Sequence, residues 1–208
     1  MIRIIDQASR LRYRETLDKF FRFRHDIFVK ECGWTDFDLD GEHEQDRYDD
    51  EHAVYGVALT GDDRIAGCMR FYPSTQPHML SDTFAYLVEG PVPEQDDIVE
   101  LSRLAVAREK RDGYTYCELF AGLQEYCLEE GYSGVTAVIR AYRLPVVQGA
   151  GLTVHPLGLP RDVNGEKLVA VMYEVNEATL HRLRAAGRLT GPVLERSMPV
   201  ERTVRRIA

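Results

Sequence analysis

Between Arg24 and Arg103 the chain interleaves charged and aromatic side chains in a pattern that a plain hydrophobic core does not require: Arg24, Phe28, Trp34, Asp46, Asp49, Arg70, Phe84, Glu100 and Arg103. The single tryptophan stands at the mouth of an acidic run. An aromatic face beside carboxylates suits a cationic small molecule. Residues 31 to 63 hold twelve carboxylates and one Lys or Arg, Arg47. From Glu177 onward the balance reverses, with seven arginines against three glutamates, and a compact basic group, Arg108, Lys110 and Arg111, falls mid-chain.

The formal net charge of −8 argues against nucleic acid as partner, because duplex binding leans on a clear basic face. The basic end of the chain reads as solvated surface. With 208 residues and 44% apolar content, the chain can bury one substantial core. Asp6, Arg10, Arg12 and Arg14 interrupt any leader-like apolar run, and no stretch approaches the roughly 20 apolar residues that would span a bilayer. The expectation is a soluble cytoplasmic protein with no membrane partner. Cys32, Cys68, Cys117 and Cys127 lack the close paired spacing of zinc sites, and their apolar neighbours suggest reduced, mostly buried thiols. His25, His43, His52 and His78 show no ligand rhythm, so no metal is expected.

Periodicity supplies the elements that must hold these residues. Met1 to Ile5 reads as a strand and Leu11 to Glu31 as a helix ended by Gly33. Residues 35 to 52 form a long polar loop, of a kind that tends to be functional in compact domains. Val54 to Leu59 and Arg64 to Tyr72 are strands joined by hairpin chemistry at Thr60-Gly61-Asp62-Asp63. A short helix over His78 to Leu87 and a strand over Ile98 to Val106 follow. Strand alternation sets Glu100 and Arg103 on opposite faces unless a bulge re-aims one of them. Gly113 to Glu130 reads as an amphipathic helix ending at Gly131. Then come a strand over Val135 to Ile139, a Pro-containing helix over Tyr142 to Ala150, strands over Leu152 to Leu157 and Lys167 to Val175, and a terminal helix over Glu177 to Ala186, with the remainder loosely ordered. Strands first as a meander and then alternating with helices imply a single-domain α/β protein, a mixed sheet flanked by helices.

That order resembles the N-acetyltransferase-like fold, which acyl-homoserine-lactone synthases share. Arg24 and Phe28 on a helix, Gly33-Trp34, Glu44-x-Asp46-x-Tyr48-Asp49, Gly67-Cys68-Met69-Arg70, Met79-Leu80-Ser81-Asp82-x-Phe84 and Glu100-Leu101-Ser102-Arg103 together resemble the autoinducer synthases of quorum sensing. Six fragments in the right order carry a signal that none carries alone. The resemblance places a synthase domain over residues 1–176, followed by a C-terminal helix and basic tail over residues 177–208. An alternative within the same fold is a coenzyme-A-dependent N-acetyltransferase. Its glycine-rich phosphate loop would follow Val106, where this chain reads Arg108-Glu109-Lys110-Arg111-Asp112-Gly113.

The resemblance implies a two-part reaction of S-adenosylmethionine with an acyl thioester, both substrates, with no cofactor. The amine attacks the thioester, and the carboxylate then displaces methylthioadenosine to close the lactone. Phe28, Trp34, Asp46, Asp49 and Phe84 would face S-adenosylmethionine, and Arg24 or Arg103 its carboxylate. Glu100 would accept the amine's proton, with Ser102 and Arg103 beside it and nearby strand amides for the oxyanion. Arg70 is expected to support the acidic loop through Asp46 or Asp49. The acyl pocket is expected between the sheet and the helix from Gly113, lined by Leu101, Leu123, Cys127, Tyr142, Val146 and Val147. Arg108, Lys110 and Arg111 would dock the donor, either acyl carrier protein or acyl-CoA. The segment from Arg140 to Pro145 lacks the small hydroxyl residue associated with 3-oxo-acyl preference. With the run Pro156-Leu157-Gly158-Leu159-Pro160, it resembles the branch that takes short branched or aryl groups from coenzyme A.

Overall fold

The computed structural model describes residues 1–111 and 113–195. The part of the basic tail beyond residue 195 lies outside the described residues. One twisted sheet organises the molecule, in the order β1 (Ile2–Ile5), β2 (Val54–Leu59), β3 (Ile65–Pro73), β4 (Ile98–Val106), β5 (Gly134–Arg140), β8 (Glu166–Glu174) and β6 (Val154–Pro156), with β7 (Arg161–Val163) also paired to β8. Among the strands of the described residues only the β4–β5 pair is parallel, the other strand pairs being antiparallel, and a single parallel bridge joins Ile2 to Leu194. The β4–β5 register covers Ile98–Leu101 against Gly134–Ala137 and goes no further, so the second half of β4 parts company with β5. The result is the N-acetyltransferase-like mixed sheet flanked by helices.

Helices cover both faces. On one, α1 (Arg14–Arg24) lays Leu17, Phe20 and Phe21 against Tyr55, Val57 and Cys68. On the other, α3 (Thr115–Glu130) packs with α5 (Glu177–Ala186) over Met69, Phe71, Leu101, Val135 and Val171. The sequence suggested that α3 is amphipathic; instead residues 119 to 127 are buried throughout, because α5 covers the side that the sheet does not. Gln124 and Glu125 survive there because they are bonded: Gln124 to the backbone of Glu174 and Asn176, and Glu125 to Arg184 and the amides of Val193 and Leu194.

Leu180 and Leu183 of α5 belong to the main core. Residues 193 to 195 are also tied down, contrary to the expectation of loose order after α5. The Ile2 amide donates to Val193 and the Glu195 amide donates to Ile2, both at 2.7 Å, and Arg3 pairs with Glu195. Of the cysteines, Cys68 and Cys127 are buried, whereas Cys32 is exposed.

Two irregularities aim side chains at one place. The first is a π-helical turn, His25–Glu31, which continues α1 and buries Arg24, His25, Ile27 and Phe28 together; such turns cluster at functional sites. The second is a bulge in β4. Arg70 pairs with Ser102, but Cys68 pairs with Ala105, so one extra residue is accommodated where Arg103 adopts φ +53°. A positive φ is uncommon for a side chain of this size. The helix expected over residues 78 to 87 is instead a single turn, α2 (Met79–Asp82), followed by a 3₁₀ turn, Ala85–Leu87. The segment Tyr142 to Ala150 divides similarly into a 3₁₀ turn, Ala141–Arg143, and α4 (Leu144–Gly149).

Candidate active site

Three guanidinium groups and three carboxylates close into a ring on the α1 face. Arg24 bonds Glu44 and, through both terminal nitrogens, Asp49 at 2.7 and 3.0 Å. Asp49 reaches Arg70 at 3.1 Å, and Arg70 holds Asp46 bidentately at 2.6 and 3.1 Å. Asp46 meets Arg103 at 2.7 Å, and Arg103 returns to Glu44 at 2.9 Å. Every member touches two of opposite charge, and no side chain in the ring is more than 4% exposed. The sums of charge cancel, which is what allows six ions to share a buried site.

The β4 bulge resolves the alternation problem. Arg70 donates to Ser102 Oγ at 3.0 Å, and the re-aimed Arg103 reaches Asp46 on that same face, so Glu100, Ser102 and Arg103 share a side of the sheet. Above the ring, the guanidinium of Arg103 lies 5.4, 5.3 and 4.9 Å from the ring centres of Phe28, Trp34 and Phe37, and Trp34 stacks on Phe28 at 5.1 Å. Trp34 is 38% exposed and forms the outer wall. The aromatic faces expected to receive a ligand cation thus already embrace a cation of the protein itself.

Glu100 is 2% exposed, and its carboxylate accepts the amides of Leu80 at 2.7 Å and Met79 at 3.2 Å. Burial raises its pKa above the ordinary glutamate value; the charges of His78 and Arg70 and the two amides pull the other way without cancelling it.

Several sequence expectations need correction. Arg24 is not open to a substrate carboxylate: it is fully buried, with both sides of its guanidinium engaged. Asp46 and Asp49 likewise face arginines rather than a free cation. Phe84 stands apart from Phe28 and Trp34, in a small cluster with Leu80, Leu87, Val138 and Leu168. Of the acyl-pocket set, Leu101, Leu123, Cys127 and Val147 are core residues packed among α3, α5 and the sheet, whereas Tyr142 and Val146 are 63% and 55% exposed because the turn after β5 carries them outward. Arg108, Lys110 and Arg111 are all exposed, but Arg111 is committed to Glu31 at 2.7 Å and to the Val106 carbonyl, whereas Arg108 and Lys110 make no ion pair among the described residues. Glu44 and Phe37 were not singled out as site residues. Glu44 could have been found as the third acid of the Glu-x-Asp-x-x-Asp spacing; Phe37 has no sequence signal that separates it from a core aromatic.

The autoinducer synthase family model matches residues 8–183, and the chain belongs to that family. It is an acyltransferase of the acyl-homoserine-lactone synthase class. The chain is 40% identical over 182 residues to an isovaleryl-homoserine lactone synthase of Bradyrhizobium diazoefficiens, covering 86% of this chain and 82% of that one. It is 32% identical over 183 residues to an acyl-homoserine-lactone synthase of Ralstonia nicotianae, covering 83% and 90%. The solved structure of BjaI, a CoA-dependent acyl-homoserine lactone synthase, with SAM and isopentyl-CoA, superposes with a TM-score of 0.89 at 37% identity, over 96% of this chain and 94% of that one. Among the described residues, no helix is long and apolar enough to cross a membrane.

The ring has a definite pH signature. Burial alone would raise the Asp49 pKa, but Arg24 and Arg70 outweigh it and hold the carboxyl well below the usual aspartate range. Its stabilisation is therefore fully present above the unfolded value of about 3.9 and is lost as pH falls through the lower folded value. Chemical denaturation should show Asp49→Asn less stable than wild type by about 3–5 kcal/mol at pH 7, with the gap narrowing below about pH 4. A gap independent of pH would contradict the assignment.

Proposed function

We propose that this chain makes a short branched acyl-homoserine lactone from S-adenosylmethionine and an acyl-CoA, releasing methylthioadenosine and needing no further cofactor. The single observation that carries the site assignment is the parting of β4 from β5 beyond Leu101 and Ala137, beside Glu100 and at the bulge that turns Arg103. A strand edge without its neighbour can accept an extended thioester arm through backbone hydrogen bonds. The choice of donor draws support from the two relatives whose names specify isovaleryl-homoserine lactone synthesis and CoA dependence.

In this reading the substrate ammonium gives one proton to Glu100, and the freed amine attacks the thioester carbonyl. Backbone amides along Leu101 to Arg103 receive the oxyanion. Collapse of the intermediate breaks the carbon–sulfur bond of the thioester, and the departing thiolate takes the second proton lost by the attacking nitrogen to leave as thiol. The substrate carboxylate then attacks the carbon next to the sulfonium, forming the lactone C–O bond as the C–S bond to methylthioadenosine breaks. Arg103 is the ring member nearest the aromatic faces, but it is bonded to Glu44 and Asp46 and covered by Phe28 and Trp34, so it braces that wall from beneath, while Trp34, 38% exposed, offers its outer face to the sulfonium. Arg24, Arg70, Asp46 and Asp49 hold this arrangement from below. Exposed Arg108 and Lys110 meet the donor's phosphates.

A buried Glu100 with a raised pKa is a stronger base than an ordinary glutamate, so the acidic limb of the activity profile lies above about pH 4.3. Glu100→Gln should reduce acyl transfer by about 10²-fold or more while S-adenosylmethionine still binds by calorimetry; full activity would remove Glu100 as base. Trp34→Ala should raise the KM for S-adenosylmethionine roughly 3- to 30-fold. An unchanged KM accompanied by a lower Tm would instead make Trp34 a lid on the core. The function itself is tested by mass spectrometry of purified protein given S-adenosylmethionine with isovaleryl-CoA or with isovaleryl acyl carrier protein. The lactone and methylthioadenosine should form at least tenfold faster with the CoA donor. Faster turnover with the carrier protein would reverse the donor assignment, and absence of both products would end the synthase reading.

A further inference from the structure

Beyond Leu101 and Ala137 the facing edges of β4 and β5 lose each other but keep their outer neighbours: Ala105 and Val106 still pair with β3, and Val138 to Arg140 still pair with β8. The two strands therefore stand as the banks of a cleft that opens at their C-terminal ends. Each bank runs on into its own cover. After β4 the chain makes the turn Arg108–Lys110 and enters α3 at Thr115; after β5 it makes the turn Ala141–Arg143 and enters α4. Leu104 and Tyr116 on the first bank, and Ile139, Ala141 and Leu144 on the second, are partly buried apolar residues packed against the main core.

One contact joins the banks. The guanidinium of Arg143 lies 5.6 Å from the ring centre of Tyr116, in the first turn of α3, and 5.5 Å from that of Tyr142. Among the described residues it has no carboxylate partner, because the acids of the neighbouring elements are engaged elsewhere: Glu118 of α3 holds the N-terminal ammonium, and Glu166 of β8 holds Arg140 at 2.8 Å. Arg188 repeats the pattern, 5.3 Å from the ring centre of Tyr114 just before α3. With Arg108 and Lys110, four cations lacking a carboxylate partner among the described residues gather at the start of α3. A guanidinium over an aromatic face keeps its N–H donors available, and bidentate pairing with a phosphate is the stronger bond.

We propose that Arg143 is a strap across the donor cleft and the residue that selects a phosphorylated donor. In the closed position it ties the turn after β5 to the first turn of α3. A thioester arm entering between β4 and β5 parts that contact. An acyl-CoA makes good the loss, because its phosphates pair with the freed guanidinium; a thioester without phosphates offers nothing in exchange. This rests on the acyl-CoA reading above and deepens it: the anionic end of the donor, and not its acyl group alone, opens the cleft. Arg143 touches no reacting atom, so its effect falls on donor choice.

The test compares isovaleryl-CoA with isovaleryl-N-acetylcysteamine, a thioester of the same acyl group without phosphates, by kcat/KM at saturating S-adenosylmethionine. Arg143→Ala should lower kcat/KM for the CoA donor about tenfold and raise it for the phosphate-free donor about two- to fivefold. Tyr116→Leu keeps an apolar side chain on α3 but removes the ring, and should raise kcat/KM for both donors because the guanidinium stays free for phosphate. Equal losses with both donors in R143A, the mark of a merely structural role, would overturn the proposal, as would an unchanged ratio of the two. Should R143A fail to fold, Arg143→Lys decides. Its ammonium keeps the attraction to phosphate but stacks less well, so the phosphate-free donor should gain while the CoA donor stays close to wild type; equal losses with both would remove the strap. If the wild-type protein forms no lactone from either donor, the synthase reading fails and the strap with it; if it forms lactone and R143A keeps the wild-type donor ratio, only the strap fails.

Discussion

The closed ring of Arg24, Glu44, Arg103, Asp46, Arg70 and Asp49 is the constraint on which the site depends. Its arginines come from α1, β3 and β4, and its acids all come from the irregular segment between Gly33 and Val54, which has no helix or strand longer than a 3₁₀ turn. That segment carries both Trp34 and Phe37. Besides the ring, Tyr48 and Ala53 anchor the segment in the core beside β2 and β3, and Tyr72 of β3 donates to Asp50. Breaking one member leaves an uncompensated buried charge, whereas the intact ring adds little net stability because six ions have been desolvated to form it. Its effect is therefore on geometry: it fixes the charged part of a loop whose far end is anchored by burial of Tyr48 and Ala53.

Much of the architecture was legible in the sequence because it follows from periodicity. The β2–β3 hairpin, β4, β5 and the helix ended by Gly131 all lie where apolar spacing and turn residues put them. The β4 bulge was not legible beyond a stated possibility, since inserting one residue into a strand leaves its composition unchanged. The burial of α3 on both sides also escaped. A helix covered by a second helix, with Gln124 and Glu125 satisfied by distant backbone, looks on paper like one with a wet face. The short strand β7 was missed because Arg161–Val163 has too few residues to show a period.

The site was legible in membership more than in arrangement. Motif order brought Arg24, Asp46, Asp49, Arg70, Glu100 and Arg103 to attention, but which charges pair is decided by long-range packing, which spacing cannot encode. Hence Arg24 looked available and is not, and Tyr142 and Val146 looked like pocket walls and face outward.

The pairing of residues 193 to 195 with Ile2 has a consequence away from the chemistry. β1 is an outermost strand, and an outermost strand normally presents a row of free amides and carbonyls to any neighbouring chain. Here the Ile2 amide and carbonyl are already taken by Val193 and Glu195, and Arg3 is clasped by the Glu195 carboxylate. Residues 193 to 195 act as a selvedge at this end of β1, occupying the backbone groups of Ile2 that a neighbouring strand would otherwise meet. The backbone groups of Ile2 are thus closed to a neighbouring strand by three residues that lie outside the site.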